Sequence, residues 1–220
     1  MKLVIGNKNY SSWSMRPWLL MTALGIPFEE EKLSFADPGW KSRALRYSPT
    51  GMVPVLVDGD LAVWDTLAIT EYLAEKFPER GVWPAAAAAR ARARSIVAEM
   101  HSGFQAIRDT LQMNCELRVK MQPLARAVRR EIQRVFDIWS DCRTQVGPDA
   151  GPFLFGGFSA ADAFYAPITR RFVSYGVDCP EVARRYIAAV EALPATRAWL
   201  DGAMAEREFI DWEEPYRERA

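Results

Sequence analysis

VPVLVDGDLAVWDTLAITEYL, from Val53 to Leu73, is the stretch on which the fold turns. Two β-prone runs rich in Val and Leu flank Asp58–Gly59, a dipeptide suited to a tight hairpin turn. After them Leu67, Thr70 or Glu71, and Leu73–Ala74 recur at helical spacing up to Pro78. The stretch therefore predicts an antiparallel hairpin that feeds an amphipathic helix. Upstream, Lys2–Gly6 reads as a short strand. A helix with Ser14 as cap should follow it through Leu24, with Pro17 tolerated in the first turn and Gly25 as terminator. Phe28–Leu33 alternates apolar and charged residues, the pattern of a half-buried strand, and "GWKSRALRYSP" predicts a short helix ended by Pro49. The order is β-α-β-α-β-β-α. A helix joining the first two strands makes them parallel, with a right-handed crossover, and the hairpin adds antiparallel strands.

The character changes after "FPERGVWP", which reads as a linker. "AAAAARARARSIVAEMHSGFQAIRDTLQMNCELR" is a long helix-prone run rich in Ala and Arg. In "LARAVRREIQRVFDIWSDCRTQV" apolar residues return at three- and four-residue spacing, which makes an amphipathic helix. "SAADAFYAPITRRFVSYG" predicts another, and "PEVARRYIAAVEALPATRAWLDGAMAE" two more. The expected layout is a small α/β domain over 1–79 and an all-helical domain over 86–220.

Composition excludes several classes of function. The chain has 220 residues, 28 basic and 28 acidic, so its formal net charge is zero. That removes the basic footprint of a nucleic-acid binder, although Arg90–Arg94 and Arg126–Arg134 are local clusters. The apolar run in "MKLVIGNKNY" is too short for a signal-peptide core, and no segment approaches the ~18 apolar residues of a membrane span. Cys115, Cys142 and Cys179 are widely spaced, and His101 is the only histidine. Neither a disulfide framework nor a zinc site is expected, and a reducing cytoplasm fits best.

Four strings carry chemistry in this order: "SSWSMRPWLL", "SPTGMVPVLVDGD", "DTLAITEYL" and "SAADAFYAP". Together, across an α/β-then-α chain, they resemble the cytosolic glutathione transferase family over essentially the whole length, in its serine-type, zeta- and tau-like branch. The resemblance implies a thioredoxin-like N-terminal domain that binds glutathione, a helical C-terminal domain that lines an electrophile pocket, a homodimer, and no metal.

Such an enzyme must hold the tripeptide thiol as thiolate, the nucleophilic form. A free thiol of pKa about 8.5 is only about three per cent ionised at pH 7. A hydroxyl donating to the sulfur contributes about 1.5–3 kcal/mol, which lowers the thiol pKa by roughly one to two units. The nearby helix N-terminus adds an effect of the same sign. In the family the catalytic hydroxyl lies five residues before an arginine of the first helix. That arginine is Arg16 here, so the role falls on Ser11, with Ser12 as the neighbour that shares or takes it. Tyr10 is a further hydroxyl donor to weigh, as in the tyrosine-type classes.

The resemblance also implies a cis peptide before Pro54, with the Val53 backbone pairing with the cysteinyl part of glutathione. It puts Asp65 and Thr66, where the family usually has Glu-Ser, at the γ-glutamyl end. There, free N–H groups at a helix start suit a carboxylate and an acidic side chain suits an ammonium. Trp40 and Lys41 lie where relatives hold the glycyl carboxylate. The electrophile side is assigned to Trp13, His101, Phe104, Arg108 and Asn114. The structural alternatives are plain: the serines, Asp65 and Thr66 can be helix caps, and His101 an ordinary helix residue. Ser159 and Asp162 form a capping box that serves folding.

Three departures from the family pattern stand out. Ser48 replaces a common Asn. Trp13 stands where zeta members have Cys, which weakens a maleyl-acid isomerase reading. No cysteine lies in the first helix turn, against the thiol–disulfide classes. The sequence leaves three functions open: conjugation of glutathione to a small hydrophobic electrophile, cis–trans isomerisation of a maleyl-type acid, and a non-catalytic binding module.

Overall fold

The computed structural model describes residues 1–120 and 123–214. A four-stranded mixed sheet forms the N-terminal part, in the order β2-β1-β3-β4. Strands β1 (Lys2–Ile5) and β2 (Glu29–Lys32) are parallel, joined by α1 (Ser12–Ala23). β3 (Val55–Asp58) runs antiparallel to β1 and to β4 (Leu61–Trp64). Asp58 is the last paired residue of the hairpin, so the turn is Gly59–Asp60. Gly59 takes the first turn position with φ +60°, where a side chain would be strained. The short α2 (Trp40–Ala44) precedes the hairpin and α3 (Thr66–Lys76) follows it. β2 departs from the expected half-buried alternation. It is a charged, mostly exposed edge, while the apolar Ile26 and Leu33 outside it are buried. Charges on an edge strand deter pairing with another chain.

Helices follow: α4 (Ala87–Ser102), α5 (Gln105–Thr110), α6 (Arg126–Val146), α7 (Ala160–Ser174), α8 (Glu181–Ala192) and α9 (Pro194–Glu206). The long helix expected from Ala85 to Arg118 is broken at Gly103, the C-cap of α4, and at Phe104, which has φ +60°. Arg108 bridges the break. Its Nε donates to the Gly103 carbonyl at 3.0 Å and its Nη2 to the Met100 carbonyl, so two helix-end acceptors are met by a side chain. The end of the expected helical domain, 215–220, lies outside the described residues.

One core runs through both parts. Trp18, Leu19 and Leu20 of α1 share a buried cluster with Phe164, Tyr165 and Phe172 of α7 and Trp199 of α9. α7 packs on both α1 and α4. At the N-terminus of α7 the Asp162 carboxylate accepts from Ser159 N at 2.9 Å and from Leu154 N at 3.0 Å, the capping box the sequence predicts. The seam between sheet and bundle is thus hydrophobic at its centre, and the cleft opens at its rim beside the start of α1.

Candidate active site

The helix-capping serine is not the one the spacing suggests. Ser11, not Ser14, is the N-cap of α1: its Oγ accepts from Ser14 N at 3.3 Å, the cap-to-third-residue bond. Ser11 Oγ also donates to Ser14 Oγ at 2.8 Å, and Ser14 Oγ accepts from Gly6 N at 3.0 Å. This chain of bonds ties the helix start to the end of β1 and turns the Ser11 hydroxyl inward. The expectation that Ser11 presents its proton to a ligand therefore meets a hydroxyl already committed within the protein. Tyr10 is likewise occupied, donating to Glu214 and to the Glu208 carbonyl, the latter at 2.9 Å. Burial and the Glu214 carboxylate push its phenol further up from its ordinary range.

Ser12 is placed differently. Its Oγ accepts from Arg171 Nη2 at 3.2 Å, and the residue lines a cavity of about 410 Å³. A hydroxyl has one proton to give and two lone pairs. With the guanidinium on one lone pair, the Ser12 proton is available to an acceptor in the cavity. Arg171 is itself fixed by donating to the Leu111 carbonyl, and to the Arg108 carbonyl at 3.5 Å. Burial and the charge of Arg108 pull its pKa down to about 10.

The same cavity is lined by Trp13, Lys41, Arg108, Arg171 and Glu213. Trp13 lies between two guanidinium groups, with Arg16 4.1 Å and Arg108 5.0 Å from its ring centre. Arg16 is fully buried, and its pKa is held well below the usual range by burial and by the charges of Arg108 and Arg171. Part of the wall is aromatic, Phe35 standing 4.9 Å from Trp40 and 5.6 Å from Trp212 between ring centres. The result is a cavity walled by cationic and aromatic side chains, into which Ser12 brings a hydroxyl oriented by Arg171.

Beyond Trp13 a second cavity, of about 360 Å³, is lined by Thr50, Val53, Pro54, Asp65 and Thr66. The Val53–Pro54 peptide is cis. Asp65, with φ +71°, caps α3 by accepting from Leu67 N at 2.8 Å. Its other oxygen lies 3.2 Å from His101 Nε2, while His101 Nδ1 is 3.4 Å from Thr66 Oγ1. Arg16 Nη1 reaches Thr66 Oγ1 at 3.5 Å. A single direction of donation satisfies all four: Arg16 to Thr66, Thr66 to His101, and the neutral ring to Asp65. Burial, with the charges of Arg16 and Arg108, lowers the His101 pKa against the pull of Asp65.

The sequence-predicted residues thus divide. Ser11, Ser12, Trp13, Trp40, Lys41, Val53 and Arg108 line the first cavity; Trp13 and Val53 also line the second, with Pro54, Asp65 and Thr66. Three residues assigned to the electrophile side lie elsewhere. His101 stands at the Asp65–Thr66 end. Phe104 turns into the core at the α4–α5 break, beside Glu131. Asn114 is buried, its Oδ1 accepting from the amides of Glu116 and Leu117, because the chain bends there instead of continuing as helix. Met113, on the stretch expected to line the electrophile side, is in the wall of the first cavity, whereas the sequence reading missed Arg171, Trp212 and Glu213. Arg170–Arg171, two cations inside an otherwise apolar helix, were the available signal. Among the described residues no cluster of three or more His, Cys, Asp or Glu could hold a metal ion.

The glutathione S-transferase N-terminal domain family matches residues 10–76, and the C-terminal domain family matches 122–202. The chain belongs to the glutathione transferase family. Glutathione S-transferase 1 of Dianthus caryophyllus is 28% identical over 184 residues, 82% of each chain. A dichloromethane dehalogenase of Methylorubrum extorquens is 42% identical over 65 residues, 29% of this chain but only 23% of that relative's length. A glutathione transferase homologue from Burkholderia, solved with bound glutathione, superposes with a TM-score of 0.70 at 22% identity, covering 94% of this chain and 98% of that one. In this transferase the first cavity is walled by both the sheet part and the helical part, whereas the second is lined by residues of the sheet part, from Trp13 to Thr66.

Proposed function

We propose that the protein conjugates glutathione to small electrophiles, with Ser12 holding the thiol as thiolate. The observation that carries this reading is the Ser12 hydroxyl in the cavity with its oxygen bound by the Arg171 guanidinium. A cation on that oxygen polarises the O–H bond, so it donates more strongly to an anionic acceptor. The Ser12 donation and the α1 N-terminus act on sulfur in the same direction. The second cavity takes the γ-glutamyl end, with Asp65 for its ammonium and the start of α3 for its carboxylate. Val53 supplies the backbone contact to the cysteinyl unit, and Lys41 and Trp40 face the glycyl carboxylate. In this reading Ser11 is a structural cap.

A second reading concerns the co-substrate. Arg108 and Arg171 on the cavity wall favour an electrophile that carries a carboxylate, the property a maleyl-type acid shares with other unsaturated acids. We further propose a two-fold homodimer in the cytoplasm, with domains over 1–79 and 86–220; light scattering tests the dimer and a monomer would refute it.

The test of the main reading is calorimetry with glutathione together with conjugation of chlorodinitrobenzene by the wild type, S11A and S12A. Binding with turnover that S12A loses and S11A keeps supports it. No heat of binding, or loss confined to S11A, removes Ser12 from the chemistry.

A further inference from the structure

Glu213 sits in a setting that thiolate conjugation alone does not use. It lines the Ser12 cavity, on a single 3₁₀ turn, Asp211–Glu213, after the last helix. That turn is anchored: Tyr10 donates to Glu214 and to the Glu208 carbonyl, and Asn7 Nδ2 donates to Glu208 at 2.9 Å. Ile210 is buried, and Trp212 packs on Phe35. The carboxyl is therefore held at the cavity by the segment after α9, which is tied down on the N-terminal loop that leads into Ser12. Arg171 is the shared neighbour. Its guanidinium holds Ser12 Oγ at 3.2 Å and is the cation that faces Glu213.

We infer that Glu213 is the general acid for addition of glutathione to an α,β-unsaturated carbonyl compound in this cavity, delivering the proton that such an addition requires. The inference rests on the proposed thiolate reading. The sulfur lone pair forms the S–C bond at the β-carbon, and the C=C π pair moves toward the carbonyl as an enolate. Glu213 then gives its proton to the α-carbon. The carboxylate left behind faces Arg171 and regains a proton from solvent, matching the one released when the thiol ionised. The step is balanced with no further reactant. Substitution on an aryl halide needs no such proton, because chloride leaves with the bonding pair.

The protonation state suits the role. Burial pushes the Glu213 carboxyl up to about 7, against the opposing pull of Arg171. The other charged or titratable groups on the cavity wall are Arg108, Lys41 and Tyr10. A general acid works best when its pKa lies near the working pH, where it is partly protonated and still a willing donor.

The experiment compares the full-length wild type with E213Q and E213D on benzylideneacetone, an addition substrate, and on chlorodinitrobenzene, a substitution substrate. Thiolate formation is common to both reactions and cancels in the ratio of their kcat values. In the wild type that ratio is expected to fall as pH rises through about 7. E213Q is expected to lower the ratio by about a hundredfold, the usual scale of a lost general acid, and to abolish its pH dependence. E213D should recover part of it. Glutathione affinity by calorimetry separates a local effect from misfolding. An equal loss on both substrates, or a ratio that keeps its pH dependence in E213Q, overturns the assignment while leaving the thiolate reading intact. A wild type that converts neither substrate overturns both.

Discussion

Two helix N-termini face the cleft, and they are built in opposite ways. At α1 the cap is spent internally, Ser11 on Ser14, and the cavity-facing group is the next residue, Ser12, whose surroundings are buried. At α3 the cap itself faces the cavity: Asp65 lies at the surface in a left-handed conformation and both caps the helix and meets His101. In each case a side chain from the helical part completes the site, Arg171 for Ser12 and His101 for Asp65. The difference lies in burial. A charge-assisted bond away from water keeps most of its strength, whereas a half-exposed pair is screened. The α1 end should therefore control reactivity and the α3 end should tune affinity.

A third N-terminus, that of α7, faces no cleft and gives the baseline for a purely structural cap. D162A removes the acceptor for the buried amides of Leu154 and Ser159. Each unmet buried donor costs about 1–3 kcal/mol, so roughly 2–6 kcal/mol of stability should be lost, read as a lower urea midpoint. A loss below about 1 kcal/mol would show the box to be dispensable.

At α1 the two serines should separate cleanly. S12A should raise the bound thiol pKa by about one to two units and cut neutral-pH conjugation about ten- to hundredfold, followed by thiolate absorbance and initial rates. S11A should leave the bound thiol pKa in place and cost about 1 kcal/mol of stability as a lost cap. The opposite pattern would reverse the assignment of cap and donor.

At α3 the effects should be smaller. D65A should raise the glutathione KM about two- to fivefold, the scale of an exposed ion pair, with kcat little changed. A fall in kcat as large as that of S12A would erase the division between reactivity and affinity. The smallest effect belongs to His101. Its folded pKa is depressed, so the folded state resists protonation; its contribution is present above about pH 6.5, the unfolded value, and is lost as pH falls through the folded one. H101Q should flatten that acid-side loss, measured as urea midpoints across this range. An unaltered pH dependence would place the acid sensitivity elsewhere.

The fold was largely legible because its signals are local. A turn glycine between two β-prone runs, apolar residues at helical spacing and a Ser-x-x-Asp box each act over a few residues, and each became the corresponding element. The long helix through Phe104 was misread because Gly103 alone gives little warning, and the break is stabilised by Arg108 folding back on carbonyls of α4. The site was legible by half. The serine string, the proline and the Asp-Thr pair marked the sheet side, yet neither Arg171 nor Glu213 could be attached to them. Arg171 lies 159 residues from Ser12 along the chain, and no spacing rule links residues so distant.

The amino-acid order alone determined where strands, turns and helices form, and that hydroxyl, acidic and cationic groups collect at helix starts, since propensity and capping operate between near neighbours. Only the tertiary structure decided which hydroxyl is spent and which is free, and which cations and carboxylates share the cavity. Those choices depend on packing α7 against α1 and laying the chain after α9 over the N-terminal loop. There, burial and distance between remote residues set the direction of every proton.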